Sequence, residues 1–392
     1  MHDVAIVGAG PGGSAAAHFL AWRGLDVVLL DKASFPRDKT CGDGLTPRAL
    51  RVLDAMGILP EVTRHGWPID GYEVVAPNGK VTTARITSTP AALVVRRHTL
   101  DHIILQRAVA SGARFEPGVT VTAVEPRPDR VMVKAGSHAF EARQAVIATG
   151  AATTVLKASG ILRSQPRAML ATRAYATDVP AMSTSFQLQF GGVPQPGYGW
   201  VFPVGDNVAN VGVGFLPKRR SVTAQAVFEK WLRIGRVIDK PKGYPIRVDF
   251  LRSPTYAPRT LLVGEAAGLV NPLTGEGIDY ALESGRMAAQ FIDRPEAYHQ
   301  ALHARFARMF RFSEQVRDWY CQPVLLNLLV PLANRHPELR QLLASIVLGE
   351  REPAGFGPLH MLARLVLYLA RTSPRSFKNA RNAKNAKNAH HA

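Results

Sequence analysis

The chain is poor in cysteine and in acid. Its 392 residues include two cysteines, Cys41 and Cys321, far apart and without a CxxC pair. That spacing argues against a disulfide framework or a zinc site, so no metal is expected and the compartment reads as cytoplasmic. Aspartate and glutamate total 30 against 48 lysines and arginines, a formal charge of +18. Such a balance favours an anionic partner, either a lipid surface or a phosphate-bearing ligand. No helix-turn-helix, zinc-finger or RNA-binding signature accompanies the charge, so nucleic acid is not expected. Long apolar runs are missing too: none reaches the roughly 18 to 20 residues of a membrane span. Met1 leads almost straight into DVAIVGAG, without the basic region and cleavage site of a secretory leader.

What is present reads as α/β. DVAIVG is a buried strand, GAGPGGSAAAHFLAWRG turns helical after its glycines, and DVVLLD at 26–31 is a second strand. This βαβ unit opens a doubly wound, Rossmann-like sheet. From 65 to about 95 the texture changes to short alternating segments, with Asn78-Gly79 marking a hairpin. Residues 99–112 read as a helix ended by Gly112, and QAVIATG at 144–150 as another buried strand. Residues 165 to 255 are strand-rich and read as an antiparallel sheet. The expected division is a discontinuous nucleotide-binding domain (1–65, 96–155, 256–295), a β-sheet substrate domain (66–95, 156–255), a helical region (296–371) and a disordered basic tail (372–392). The tail's Asn-Ala-Lys repeats cannot build a core.

Gly8, Gly10 and Gly13 form G-x-G-x-x-G between a strand and a helix. The first glycine allows the tight turn, the second lets backbone approach a pyrophosphate, and the third lets helix pack on strand. Asp31 ends the next strand, about 20 residues on, where a carboxylate accepts from a ribose diol. Lys32 beside it is a further expected cofactor contact.

Three other segments carry a resemblance. Arg97 in RRHTLDHIILQRA, ATG at 148–150 and VGEAAGLVNPLTGEGI resemble the FAD-binding pattern of the p-hydroxybenzoate hydroxylase-like flavoproteins. The resemblance implies FAD, a glutathione reductase-type binding domain, and cofactor contacts at Arg97, Gly264, Glu265, Gly275 and Gly277. Glu265 stands where that group usually has aspartate, one methylene shorter. FPRDKTCGDGLTPRAL, QPGYGWVFPVGDNVANVGVGF and NPLTGEGIDYALESGRMAA together resemble the geranylgeranyl reductase family, which includes bacterial menaquinone reductases. That resemblance implies reduction of isolated prenyl double bonds in a prenyl-chain lipid or prenyl diphosphate, with NAD(P)H or ferredoxin as donor. A substrate of this kind also implies peripheral contact at the inner face of the cytoplasmic membrane.

Within these segments Cys41 reads either as a small buried hydrophobe or as a thiol facing flavin and alkene. Arg37 and Lys39 read as phosphate contacts or as a solvated basic loop, and Asp43 as a loop cap or a partner for arginine. Tyr198, Trp200 and Phe202 alternate along one strand, so they share a face. That row is either plain core or the wall of a prenyl slot, and Gly197 and Gly199 argue for the slot. Adding hydride and proton to an isolated alkene needs a dry pocket and an acid. Cys41 and Tyr198 are the candidate acids, with bound water as an equal. Competing readings are an aromatic-ring monooxygenase or halogenase, although the halogenase G-x-W-x-W-x-I segment is missing. A flavin-bearing quinone or membrane electron carrier without catalysis is the reading from another class.

Overall fold

The computed structural model describes residues 1–341 apart from 88, 90, 180, 181, 206, 219, 220, 233, 234, 320, 338 and 339. The expected tail (372–392) and the apolar segment at 358–371 therefore lie outside the described residues. Two large sheets organise the rest.

The first sheet is parallel at its centre. The strand His2–Val7 lies between Val27–Asp31 and His138–Ile147, and the row continues outward to Arg114–Pro117 on one side and Thr260–Leu262 on the other. These strands are near-continuous apolar runs because both of their faces are packed: the core around them takes Ala16, Ala17 and Leu20 from the helix Pro11–Trp22 and Val124, Val131 and Val133 from the strands Ala123–Pro126 and Val131–Ala135. Ala5, Ile6, Val28, Leu29, Leu30, Val146 and Ile147 are fully buried. Each such Val, Leu or Ile contributes about 1.5–3 kcal/mol of burial. The strand order reverses at His2–Val7, since the chain goes on to Val27–Asp31 and Arg114–Pro117 on one side of it and later returns to His138–Ile147 and Thr260–Leu262 on the other. Parallel sheets bind ligands at such a switch point, beyond the carboxyl ends of the strands. Here those ends deliver Gly8, Asp31, Ala148 and Val263 to one crevice.

The second sheet runs Arg236–Val237, Ala168–Thr177, Val208–Phe215, Gly197–Gly205, Ser185–Gln189, Gly71–Val75, Val81–Arg85, with Lys242–Arg247 also on Ala168–Thr177. Within 165–255 every pairing is antiparallel, whereas the join to the 66–95 segment is not: Ser185–Gln189 pairs with Gly71–Val75 in parallel. The two strands come from opposite sides of the inserted nucleotide-binding segments, so no hairpin dictates their direction. The Asn78-Gly79 hairpin forms between Gly71–Val75 and Val81–Arg85, with Gly79 at φ +80. A small three-stranded sheet (Gly44–Leu45, Ala92–Val94, Trp67–Ile69) ties the cysteine loop to the strands beside it. Helices Pro295–Trp319 and Pro323–Arg335 follow. Among the described residues no helix is long and apolar enough to cross a membrane.

Candidate active site

One elongated cavity of about 870 Å³ runs from Asp31 and Lys32 at one end to Tyr198, Trp200 and Phe202 at the other. Every residue expected from the sequence to touch cofactor or substrate lines it except Gly13. Gly13 has the packing role expected of the third glycine: a Cβ there would lie 1.8 Å from the Gly8 carbonyl oxygen. Gly8 sits at φ +105, and a Cβ on it would be 2.5 Å from the Ala148 carbonyl. Gly10 is different. The nearest atom to its virtual Cβ is an Arg37 guanidinium nitrogen at 3.6 Å, so its face is open to the cavity.

The helix Pro11–Trp22 starts at Gly10 with no side-chain cap and no acid in its first turn. Its unpaired N–H groups and positive dipole end are thus left for an anion. Asp31 folds back on the same turn, its Oδ2 accepting from Ala9 N (2.7 Å) and its Oδ1 from Ala33 N (2.9 Å). A carboxylate has about four acceptor sites, so capacity remains for a ribose diol.

Cations line the middle of the cavity. Arg97 is buried and holds Asp101 in a two-point pair (2.6 and 2.7 Å), and Asp101 also faces Arg37 at 3.2 Å. The Arg37 Nη1 is buried, and among the described residues this ion pair with Asp101 is not accompanied by a well-aligned hydrogen bond. An anionic ligand would give that nitrogen one. Lys39 lies 3.4 Å over the Tyr244 ring, and burial pulls its ammonium down to about 8 against the opposing pull of Glu265.

Glu265 uses its extra methylene within the protein. Its Oε2 accepts from the Tyr244 hydroxyl (3.1 Å) and its Oε1 from Arg247 N (3.0 Å). The Tyr244 hydroxyl also accepts from Ala151 N (3.1 Å). One carboxylate thereby ties the loop after Thr260–Leu262 to the second sheet. Gly264 and Gly275 have φ of +57 and +71, and Gly277 begins the helix Ile278–Gln290. An uncapped glycine-rich loop feeding a helix N-terminus fits the electron-rich edge of a reduced flavin. The cradle, the open helix end and the Arg37 guanidinium together fit FAD along the cavity.

Cys41 is half-buried. Its side chain interacts with Arg97, its carbonyl accepts from Asn210 Nδ2 (2.7 Å), and it packs against Leu45, Leu100 and Ile278 while still lining the cavity. Both readings of Cys41 describe part of what it touches. The Tyr198 hydroxyl donates to the Thr274 carbonyl of the glycine-rich loop. Burial, reinforced by Glu276 and Cys41, holds the Tyr198 proton more tightly than in free tyrosine. This makes it a poorer acid than its residue type suggests.

Gly197 and Gly199 serve the opposite face of their strand, contrary to the expectation that they open the slot. A Cβ on Gly199 would meet the Trp231 indole at 2.3 Å, and one on Gly197 would meet Phe215 at 2.4 Å. The room on the cavity side comes from Gly212, where a Cβ would fall 2.2 Å from the Trp200 indole. Trp200 therefore lies down across the neighbouring strand and donates to Asn210 Oδ1 (2.9 Å).

Asn210 is the residue that sequence reasoning missed. Its amide bridges Trp200, the Cys41 carbonyl and Asp43 Oδ2 (2.8 Å). Asp43 has φ +64 and is fully buried, and Tyr175 donates to the same Oδ2 at 2.6 Å. Burial pushes the Asp43 carboxyl up to about 6, against the hydrogen bonds from Tyr175 and Asn210. The one signal for Asn210 was a lone amide in the apolar strand VANVGVGF, in period-2 register with Gly212 and Gly214.

The fold and the cavity define a flavoprotein, and comparison with known proteins agrees. Residues 1–232 match the FAD-binding domain family. The chain is 33% identical to the menaquinone reductase of Mycolicibacterium smegmatis over 380 residues, 86% of this chain and 89% of that protein. It is 32% identical to digeranylgeranylglycerophospholipid reductase 1 of Methanopyrus kandleri over 340 residues, 81% of this chain and 88% of that protein. Among solved structures, a geranylgeranyl bacteriochlorophyll reductase-like protein from Thermoplasma acidophilum superposes with a TM-score of 0.73 at 22% identity, covering 88% of this chain and 99% of that one. A flavin-dependent brominase also superposes at 0.73, at 20% identity and covering 95% and 100%, so these two likenesses speak for the fold alone. The chain belongs to the FAD-binding domain family and, within it, to the group that contains the menaquinone reductases.

Proposed function

We propose that this protein is an FAD-dependent reductase that saturates isolated double bonds in the prenyl chain of a quinone or lipid. The observation that carries the reading is the continuity of the cavity: the dinucleotide cradle opens without a break into a slot walled by Trp200, Phe202, Phe186 and Leu188. Bound FAD, once reduced, supplies the hydride. The chain does the rest. The slot excludes water from a hydrocarbon substrate, Tyr198 holds the glycine-rich loop through Thr274, and Asn210 fixes Cys41 and Trp200 on the two sides of the alkene position. The second sheet is the substrate wall in this reading, and NAD(P)H or a ferredoxin reduces the cofactor from outside.

The test is anaerobic incubation of the reduced flavoprotein with menaquinone and with geranylgeranyl diphosphate. The expected product carries two more hydrogens per reduced bond. A product unchanged in mass on every prenyl substrate would remove the reading in favour of an electron carrier, and oxygen consumption matched to NAD(P)H would favour a monooxygenase. Within this reaction Cys41→Ala should keep FAD and slow alkene reduction about tenfold, the scale of a lost contact in an apolar pocket. Unchanged turnover would reduce Cys41 to packing.

A prenyl substrate resides in a bilayer, and the chain's +18 charge suits an anionic one. Trp319, Val324 and Leu328 project apolar groups at 71%, 79% and 63% exposure from the end of one helix and the start of the next. We place this edge against the lipid. Leu328→Glu should lower co-sedimentation with anionic vesicles about tenfold, as expected for one lost apolar insertion of ~1.5–3 kcal/mol. Equal sedimentation of the variant would move the contact elsewhere.

A further inference from the structure

The reaction needs a proton as well as a hydride, and the described side chains around the slot differ in how well they could supply one. Tyr198 is engaged with the Thr274 carbonyl and holds its proton tightly. Glu276 lies in the same loop, on the cavity wall between Gly275 and Gly277. It belongs to a cluster of three carboxyl groups with Asp279 and Glu283. Arg48 reaches Asp279 at 3.5 Å and Glu283 at 3.2 Å, and Glu283 takes a second guanidinium from Arg305 at 2.7 Å. Glu276 also feels the Arg48 charge, and it has Thr274 and Tyr198 as neighbours. The guanidinium groups of Arg48 and Arg305 make these ion pairs with Asp279 and Glu283, neither of which lines the slot. The third carboxyl, the one on the slot, is the natural place for a shared proton, because like charges crowded in a buried site do not all ionise.

We propose that Glu276 is held protonated at the cavity wall and is the acid that delivers the proton to the alkene. The proposal rests on the prenyl-reductase reading above. In the step, the π bond of the alkene is replaced by two C–H bonds. One carbon takes the proton from the Glu276 carboxyl while the other accepts the hydride supplied by reduced FAD. The Glu276 carboxylate is re-protonated from water, and the oxidised cofactor is re-reduced by the external donor. The groups facing Glu276 favour its protonated form. Burial and the Asp279 carboxylate both raise its pKa well above the ordinary carboxylate range, while Arg48 and Thr274 oppose. Asp279 is itself raised to about 6 by burial, with Arg48 opposing. Tyr280 and Tyr198, the other titratable neighbours, remain neutral, their protons held by burial and by these carboxyls.

The test is Glu276→Gln, which keeps the size of the neutral acid and removes its proton. The full-length variant should bind FAD stoichiometrically and be reduced normally. Its anaerobic single turnover with menaquinone should fall at least ~100-fold, the usual range for a lost general acid. Wild-type turnover should decline on the alkaline side as Glu276 ionises, and the variant should lose that limb. A second readout needs no substrate. A raised folded-state pKa means the native chain loses stability as pH rises from the unfolded carboxylate value through the folded one. The Tm of Glu276→Gln minus that of wild type should therefore become more positive as pH rises above the ordinary carboxylate range. A variant with wild-type turnover and the same alkaline limb would overturn proton delivery, and a Tm difference independent of pH would overturn the held proton. A wild-type enzyme that reduces no prenyl chain would overturn the reductase reading and the delivery step with it. The stability readout separates that failure from one in which Glu276 carries no proton.

Discussion

A Gly13→Ala chain should purify without flavin. The added methyl would sit 1.8 Å from the Gly8 carbonyl oxygen and 3.1 Å from the Ala148 Cβ. The first obstacle is backbone, which no rotamer change can move aside. The helix Pro11–Trp22 must then shift away from His2–Val7, and its N-terminus leaves the position where it meets the pyrophosphate. Overpacking of this kind costs ~1–3 kcal/mol or more in stability, and FAD affinity should fall by more than ~100-fold as the cradle opens. Gly10→Ala is the matched comparison. Its backbone conformation (φ −70) suits alanine and its Cβ would meet only the far end of Arg37 at 3.6 Å. That variant should fold with a wild-type Tm and still lose flavin, because the methyl projects into the cavity. Flavin absorbance and thermal melts of the two variants decide the matter. A Gly13→Ala protein with full flavin content, or a Gly10→Ala protein that binds FAD as wild type does, would show that the cofactor does not lie on this turn.

The nucleotide end was legible because its signal is local. A strand, three glycines, a helix and an acid at the next strand's end are fixed by backbone sterics within about thirty residues. Gly264, Gly275 and Gly277 were singled out through the resemblance of their segment to other flavoproteins. The slot was only half legible. The alternation of Tyr198, Trp200 and Phe202 gave their common face, yet the glycines that make room for Trp200 stand at 212 and 214, on the neighbouring strand. Which glycine serves which face depends on strand pairing, and pairing is a long-range fact. Asn210 and Tyr175, the partners of Asp43, escaped for a related reason: they come from two strands far from its loop, and each alone reads as an ordinary residue. The acidic cluster of Glu276 and Asp279 was visible as letters in TGEGID. Its chemical meaning depends on Arg48, more than 220 residues earlier in the chain.

The long-range part of the site should also be the part most sensitive to a single amide. Asn210→Leu keeps roughly the volume but removes the acceptor for Trp200 Nε1 and the donors to the Cys41 carbonyl and Asp43 Oδ2. Three polar groups would then lose a buried partner, at about 1–3 kcal/mol each. Partial relaxation brings the expected loss to ~3–6 kcal/mol, a large share of the ~5–15 kcal/mol typical of a folded chain. Urea titration should show this loss, and a change under about 1 kcal/mol would mean that water replaces the amide. The same network carries a pH signature. Asp43 keeps its proton up to about 6 in the folded chain, whereas an unfolded aspartate releases it near about 3.9. The native state therefore binds the extra proton between those values, and stability falls as pH rises through that window, by up to about 3 kcal/mol. Asp43→Asn is the neutral equivalent: its carbonyl still accepts from Tyr175 and Asn210. Relative to wild type it should gain stability from about pH 4 to about pH 6 and no further above that. If the Asn variant instead tracks wild type across the window, Asp43 is ionised in the folded protein. The loop carrying Cys41 would then be held by charge pairing with Arg173 and Arg97, and it should loosen as salt is added.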